Sequence, residues 1–159
     1  MLKALVSGFF VAAAVLVAAP AQAGPTFYTV HSGFNGRCLD FDNANLGNKA
    51  RVQLRSCNGK PQQLWYWSGT NLVNAYHSKC LDAPREFIWD RGAQLQMYDC
   101  LGWENAQWRR EGSTLRNGYN GWCMDAALET IWVDGGKVQN WECNGGHNQN
   151  WEFRLHSSN

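Results

Sequence analysis

The sequence predicts an all-β protein built from three repeats of about 43 residues that share one core. The first observation is that Trp65, Trp108 and Trp151 follow one another at intervals of 43 residues. The second is that six cysteines form three pairs in the same register, each pair ending eight residues before one of these tryptophans. The third is that Gly and Asn turn residues interrupt short apolar stretches, without an amphipathic helical run of about 11 residues after residue 23. Because a unit of this size cannot bury a core alone, the three units must pack together.

The segment before the repeats, residues 1–23, is interpreted as a secretory signal peptide. Lys3 provides a basic start, residues 4–18 are largely apolar, and Ala21-Gln22-Ala23 is a cleavage site of small residues. A membrane anchor is the alternative, but the apolar run is short for a spanning helix of roughly 20 residues. We therefore expect a secreted, extracellular domain of residues 24–159 with no membrane insertion.

Each repeat contains the same elements in the same order: an aromatic residue, Cys-[Leu or Met]-Asp, Gln, a second Cys, and Trp. In the first repeat, about residues 24–68, they are Phe34, Cys38-Leu39-Asp40, Gln53, Cys57 and Trp65. In the second, about 69–112, they are Tyr76, Cys80-Leu81-Asp82, Gln96, Cys100 and Trp108. In the third, about 113–159, they are Tyr119, Cys123-Met124-Asp125, Gln139, Cys143 and Trp151. We expect the closing tryptophans to pack in the core, and the leading aromatic residues to pack in the core or against strands.

The cysteines predict disulfides, because an even number in an exported chain indicates a disulfide framework. Six cysteines allow 15 connectivities. The threefold repeat favours pairing within each unit: Cys38–Cys57, Cys80–Cys100 and Cys123–Cys143. Each bond would close a loop of about 20 residues, worth roughly 3 kcal/mol of stability. The cysteines and histidines show no metal-ligand pattern, so no metal or cofactor is predicted.

The net charge and the tryptophan content limit the classes of molecule that the protein is expected to bind. The chain has 159 residues and a formal net charge of +1, so it lacks the basic surface that nucleic-acid binding requires. Its nine tryptophans are an unusual number. Tryptophan supplies a flat apolar face and one N–H donor, which suits either a special core or a stacking surface for sugars.

The repeated motifs resemble the ricin B-type (R-type) β-trefoil lectins, and carbohydrate-binding modules of family 13 share the pattern. The resemblance covers nearly all of residues 26–153. Two Gln-x-Trp endings are intact, Gln63-Leu64-Trp65 and Gln149-Asn150-Trp151, whereas Ala106-Gln107-Trp108 departs at its first position. The resemblance implies a β-trefoil of 12 strands with one shallow sugar site possible in each repeat. Galactose or N-acetylgalactosamine is the ligand that it implies first.

The resemblance places candidate sugar-binding residues in all three repeats. In the third they are Asp125, Gln139, Trp141, Asn148 and Gln149. In the second they are Asp82, Gln96, Tyr98 and Asn105, with Ala106 in place of a Gln. In the first they are Asp40, Gln53 and Gln63, with Arg55 in place of the aromatic platform and Gln62 in place of the Asn. A carboxylate accepts hydroxyl protons, an amide both donates and accepts, and a ring covers the apolar face of a sugar. We therefore rank the sites third, second, first.

Some of these residues have structural alternatives. The repeated Asp could instead order the turn after its Cys by accepting backbone N–H bonds. Trp141 and Tyr98 could simply cover a disulfide. Trp89 and Trp132, each seven residues after an Asp, form either a second wall of the sites or surface packing. Trp103 and Trp122 form either rim contacts or exposed patches, and Trp67 receives no role.

A non-catalytic module that binds glycans or polysaccharide is the predicted function. A glycosidase needs two carboxylates roughly 5–10 Å apart, whereas the repeated carboxylates fall one per repeat. The alternative is a protein-binding trefoil, such as an inhibitor or the delivery subunit of a toxin, with an unknown partner protein.

Overall fold

The structure is a computed structural model that describes residues 24–157. The predicted signal peptide lies outside these residues. The strands of the described range are β1 Tyr28–Ser32, β2 Cys38–Phe41, β3 Ala50–Arg55, β4 Leu64–Ser68, β5 Asn71–Asn74, β6 Cys80–Asp82, β7 Ala93–Gln94, β8 Gln96–Tyr98, β9 Trp108–Glu111, β10 Thr114–Asn117, β11 Cys123–Ala126, β12 Gly136–Trp141 and β13 Trp151–Leu155. Short 3-10 helices span Pro61–Gln63, Arg85–Phe87, Glu104–Ala106, Leu128–Thr130 and His147–Gln149. Between residues 24 and 157, no helix is long and apolar enough to cross a bilayer.

Six strands form a closed barrel. Antiparallel pairs join β13 to β1, β1 to β4, β4 to β5, and β9 to β10. Two short contacts complete the ring. The Trp108 N–H donates to the Thr70 carbonyl at 2.8 Å between β9 and β5, and the Trp151 N–H donates to the Ser113 carbonyl at 2.7 Å between β13 and β10. Closure leaves these strands without a free sheet edge.

Three hairpins cap the barrel, one from each repeat. They are formed by β2 with β3, β6 with β8, and β11 with β12, and β3 joins them by pairing with both β8 and β12. A six-stranded barrel with three hairpins is a β-trefoil, so the predicted fold is confirmed. We call the three repeats the first, second and third lobes.

The described range holds 13 strands rather than 12 because one strand of the second lobe is divided at Leu95. The Leu95 N–H donates to the Val138 carbonyl at 2.9 Å, whereas its own carbonyl accepts from the Val52 N–H at 3.0 Å. Its backbone groups therefore bond to the hairpins of two other lobes. This divides the strand into β7, which pairs with β12, and β8, which pairs with β6.

The repeat-closing tryptophans fill the barrel, as predicted. Trp65, Trp108 and Trp151 are at most 2% exposed. Their indole N–H groups donate at 2.9–3.1 Å to the carbonyls of the residues that follow the first cysteine of each lobe, which are Leu39, Leu81 and Met124. Each bond connects a barrel strand to the hairpin of its own lobe, so these side chains align the cap with the barrel.

The residues two positions after these tryptophans form one cluster, and this assigns Trp67 a role. The ring of Trp67 stacks on Phe153 at 5.7 Å between centroids. The guanidinium of Arg110 lies 4.5 Å from the centroid of the Phe153 ring. A stacked pair with a cation over it stabilises both contacts. The three equivalent positions therefore hold the barrel strands β4, β9 and β13 together.

The three predicted disulfides are confirmed. Cys38–Cys57, Cys80–Cys100 and Cys123–Cys143 are bonded, with Cα–Cα distances of 5.1–5.2 Å. In each lobe the Asp lies two residues after the first cysteine, and the platform position lies two residues before the second. The disulfide therefore sits between the two sides of each candidate site and holds them together.

Of the two alternatives for the leading aromatic residues, packing in the core is wrong. Phe34, Tyr76 and Tyr119 are 41%, 50% and 42% exposed, because they stand in turns that follow barrel strands. Each instead contacts an aromatic side chain of the lobe that precedes its own around the barrel, so the third lobe precedes the first. Phe34 lies 5.9 Å from Trp132, Tyr76 lies 6.1 Å from Phe41, and Tyr119 lies 6.4 Å from Trp89. These residues join neighbouring lobes at the surface.

Candidate functional site

The third lobe brings its predicted polar residues together around one carboxylate. Asp125 on β11 faces Gln139 on β12 as its cross-strand partner, and the Gln139 amide donates to Oδ1 at 2.9 Å. Asn148 and Gln149, on the short helix His147–Gln149, each donate to Oδ2 at 2.9 Å. Three amides from two chain segments therefore hold the Asp125 carboxylate in one orientation.

Burial and hydrogen bonding shift the pKa of the Asp125 carboxyl in opposite directions. Asp125 is only 2% exposed, and its loss of hydration raises the pKa above that of a free aspartate. The bonds from Gln139, Gln149 and Asn148 lower the pKa and oppose that effect. A carboxylate with spare lone pairs in a mostly dry site forms strong bonds with hydroxyl groups.

Gln149 lies behind the carboxylate rather than in front of it. Its side chain is fully buried, its amide also donates to the Glu142 carbonyl at 2.9 Å, and its oxygen accepts the Asn144 N–H at 2.9 Å. Gln149 therefore ties Asp125 to the loop after the second cysteine. This is a positioning role.

A cleft of about 240 Å³ opens in front of the third-lobe cluster. Its lining consists of Asp125, Leu128, Glu129, Gln139, Trp141, Asn144 and Asn148. Trp141, Asp125 and Asn148 all contribute to this lining. The cleft thus combines a flat apolar face with a hydrogen-bond acceptor and an amide that both donates and accepts.

The second lobe has the same arrangement with one amide fewer. Oδ1 of Asp82 accepts from Gln96 at 2.8 Å, and Oδ2 accepts from Asn105 at 2.7 Å. Ala106 stands where the third lobe has Gln149 and offers no donor. The cleft here is smaller, about 100 Å³, and its lining consists of Lys49, Asp82, Arg85, Glu86, Gln96, Tyr98, Trp103 and Asn105.

The second lobe, which has Ala106 in place of a Gln, holds a carboxyl with a raised pKa. Burial is the largest influence and raises the pKa of Asp82 to about 6, with a further increase from Glu86 and opposing effects of Gln96, Asn105 and Arg85. Because this pKa exceeds the unperturbed 3.8, Asp82 favours folding most below about pH 4. That contribution is lost as the pH rises through about 6.

Two aromatic residues line the second-lobe cleft. Tyr98 occupies the platform position, and its ring centroid lies 6.2 Å from that of Trp103. Trp103 lines the cleft and is 43% exposed, so it lies at the rim of the cleft. Sequence reasoning left Trp103 open because the other lobes have no counterpart.

The first lobe keeps the carboxylate and loses the platform. Asp40 accepts from Gln53 at 3.1 Å and from Gln63 at 2.8 Å, and its side chain is fully buried. Arg55, at the platform position, lies 4.0 Å from Asp134 of the third lobe. The residue is therefore engaged between lobes and offers no flat apolar face.

The repeated carboxylates do not order turns. Among residues 24–157, each of the three accepts hydrogen bonds from side-chain amides and none from a backbone N–H. Trp89 and Trp132, 62% and 66% exposed, line neither the second-lobe nor the third-lobe cleft. Both lie at lobe boundaries, where Trp89 is near Tyr119 and Trp132 is near Phe34.

One cluster in the described range has the geometry of a metal site, namely His31 with Cys38 and Cys57. The two sulfurs are joined in a disulfide and are therefore not thiolate ligands.

The barrel, its three hairpins and an acid–amide cluster in every lobe define a β-trefoil of the lectin class. A family model described as the ricin-type beta-trefoil lectin domain matches residues 26–151. The chain belongs to this family. A comparison with curated proteins found no match.

Solved structures of the same fold include proteins of several kinds. A designed threefold-symmetric protein, ThreeFoil, is 27% identical with a TM-score of 0.71, and the match covers 80% of this chain and 96% of that one. An exo-β-1,3-galactanase from Clostridium thermocellum is 26% identical with a TM-score of 0.72, over 82% of this chain and 30% of the galactanase. The C-terminal half of an earthworm R-type lectin, solved with GalNAc, is 20% identical with a TM-score of 0.68, over 83% of this chain and 100% of that one.

Proposed function

We propose that this chain is a secreted, non-catalytic lectin module that binds galactose-type or related glycans and polysaccharides. The observation that carries the proposal is the third-lobe site. There, three amides hold a nearly buried carboxylate at a cleft walled by Trp141. The second lobe serves as a further site, and the first lobe contributes little because it lacks the platform ring.

The ligand class follows from the chemistry of the cleft. The carboxylate accepts a hydroxyl proton at its remaining lone pair, the amide adds a further hydrogen bond, and the ring covers an apolar C–H face. The likeness to a galactanase supports a galactose-type ligand. A shallow site of this kind is expected to bind a single sugar with a Kd on the order of 1 mM. Useful affinity then requires two lobes to engage one polysaccharide or cell surface together.

A binding role rather than hydrolysis is supported by the distribution of carboxylates. Asp40, Asp82 and Asp125 belong to three different hairpins, so each candidate site is built around one buried carboxylate. Glu86 and Glu129 also line the second-lobe and third-lobe clefts, but both are exposed, and Glu86 is paired with Lys49. Glycoside hydrolysis uses two carboxylates across one bond. Export is supported by three disulfides and by the predicted signal peptide.

Trp141→Ala is the substitution that tests the proposed function. On a glycan array, the wild-type protein is expected to bind glycans with terminal galactose or N-acetylgalactosamine, and the variant is expected to lose about tenfold in affinity because the sugar loses its stacking surface. Trp132→Ala is the matched control, since Trp132 is exposed and lies outside the third-lobe cleft. Absence of any array signal, or equal loss in both variants, would favour a protein-binding trefoil instead.

Sugar binding by the second lobe is expected to depend on pH. With a pKa of about 6, Asp82 is mostly ionised at pH 7 and mostly protonated at pH 5. A protonated carboxyl accepts hydroxyl bonds poorly, so binding should weaken about tenfold over this interval. Calorimetric titration at both pH values, in a Trp141→Ala background that isolates the second lobe, measures the change. A constant affinity from pH 5 to pH 7 would contradict the role of the Asp82 carboxylate.

A further inference from the structure

The second-lobe cleft continues into a second depression that reaches the third lobe. This depression has a volume of about 280 Å³ and a lining of Arg85, Gly102, Trp103, Glu104, Asn105 and Tyr119. Three residues, Arg85, Trp103 and Asn105, line both spaces. The two spaces therefore adjoin at these three residues, and we call them together the groove, which extends from Asp82 to Tyr119 of the third lobe.

Aromatic rings follow this groove and extend beyond it. Tyr98 and Trp103 lie 6.2 Å apart at its second-lobe end. On the third-lobe side, Tyr119 lies 6.4 Å from Trp89, and Trp89 lies 6.0 Å from Trp122. Trp89 and Tyr119 are 62% and 42% exposed, so their faces are open to a ligand. We call these five residues the aromatic strip.

Arg85 connects the two halves of the strip. The centre of its guanidinium lies 5.6 Å from the Trp103 ring centroid and 5.9 Å from that of Tyr119. The neighbouring carboxylate, Glu86, is paired with Lys49 at 3.1 Å. Within residues 24–157, the Arg85 guanidinium has no ion pair and no hydrogen bond, so its N–H donors face the groove unpaired.

The geometry points to a linear oligosaccharide of several units as the ligand of this groove, with its first sugar at Asp82 and later sugars along the aromatic strip. This inference rests on the proposed lectin function and extends it to the second lobe. A linear glycan presents apolar faces and hydroxyl edges in alternation, and the groove presents rings separated by amide and guanidinium donors. The Lys49–Glu86 pair and the opposite signs of Arg85 and Glu104 favour a neutral sugar chain over an anionic one.

The third lobe lacks the connecting residues. Leu128 stands at the position of Arg85, and Gly146 stands at the position of Trp103. Trp132, the counterpart of Trp89, lies 5.9 Å from Phe34. Neither Trp132 nor Phe34 lines the third-lobe cleft. The third lobe is therefore suited to a single terminal sugar, and the second lobe to the interior of a chain.

The test compares affinity with chain length. The probes are galactose and linear β-1,4-galacto-oligosaccharides of two to five units, with xylose and the matching xylo-oligosaccharides run in parallel. They are titrated by calorimetry into the wild-type protein and into Trp141→Ala, which isolates the second lobe. In that background we expect affinity for one of the two series to rise about tenfold from the monosaccharide to the tetrasaccharide, because successive rings each add a contact.

Trp89→Ala supplies the decisive variant, and Trp132→Ala its matched control in the third lobe. Both side chains are exposed, so neither change disturbs the core. Trp89→Ala should weaken tetrasaccharide binding about fivefold and leave disaccharide binding unchanged, whereas Trp132→Ala should leave both unchanged. Affinity that does not depend on chain length, or equal effects of the two variants, overturns the groove while monosaccharide binding to the wild type still supports the lectin function. If no probe of either series binds the wild type, both proposals fail.

Discussion

Asp125→Ala is expected to abolish sugar binding by the third lobe. The substitution removes the acceptor of one sugar hydroxyl bond, because three amides already occupy three of the roughly four lone-pair sites of the carboxylate. A bond to a charged group contributes about 1.5–3 kcal/mol, which corresponds to a loss of affinity of about 10- to 100-fold. Calorimetric titration with galactose and N-acetylgalactosamine, or retention on a galactose column, measures the loss.

Asp40→Ala is the matched control for this prediction. Asp40 is buried like Asp125 and is held by two amides, Gln53 and Gln63, so its removal disturbs the first lobe in a comparable way. The first lobe has Arg55 at the platform position, and binding should therefore remain close to that of the wild type. Equal loss in both variants would contradict the ranking of the lobes and indicate a general effect on folding.

Trp65→Ala should produce the largest loss of stability. Trp65 is fully buried in the barrel, and its indole N–H donates to the Leu39 carbonyl at 3.1 Å. Truncation of a buried aromatic side chain costs about 3–5 kcal/mol, because it leaves a cavity and here also an unpaired carbonyl. Such a loss is a large part of the about 5–15 kcal/mol that holds a typical domain together. Urea unfolding followed by tryptophan fluorescence measures the free energy of unfolding.

Two further variants distinguish the contributions of side-chain volume, hydrogen bonding and burial to the stability that Trp65 provides. Trp65→Phe keeps much of the volume and removes the hydrogen bond, so it should cost less than Trp65→Ala. Trp132→Ala removes a tryptophan that is 66% exposed and should change the free energy of unfolding by less than about 1 kcal/mol. Similar losses for Trp65→Ala and Trp132→Ala would mean that burial does not decide the contribution of a tryptophan in this protein.

Much of the fold was predictable because it is repeated. The interval of 43 residues between Trp65, Trp108 and Trp151 predicted three lobes, and the cysteine register predicted the disulfides that the structure contains. Internal symmetry supplies three copies of each signal, so a position that recurs in every copy carries information that a single copy does not.

Predictions failed where a residue's environment comes from another lobe. The aromatic residue before each first cysteine was expected in the core or against strands, but Tyr119 lies at the surface against Trp89 of the preceding lobe. The twelve-strand expectation failed at Leu95 for the same reason, since its backbone bonds to the hairpins of two other lobes. Neither contact leaves a pattern within its own repeat.

The sequence by itself determined the repeated architecture, the cysteine pairing and the acid–amide residue types of each lobe, because these depend on spacing and residue chemistry within a unit of about 43 residues. The tertiary structure alone decided how the lobes differ as binding surfaces. It placed Arg85 between Trp103 and Tyr119, engaged Arg55 with Asp134, and gave Asp82 a pKa of about 6. Each of these outcomes depends on burial and on distances across lobe boundaries, which are set only when the three units close around a common barrel.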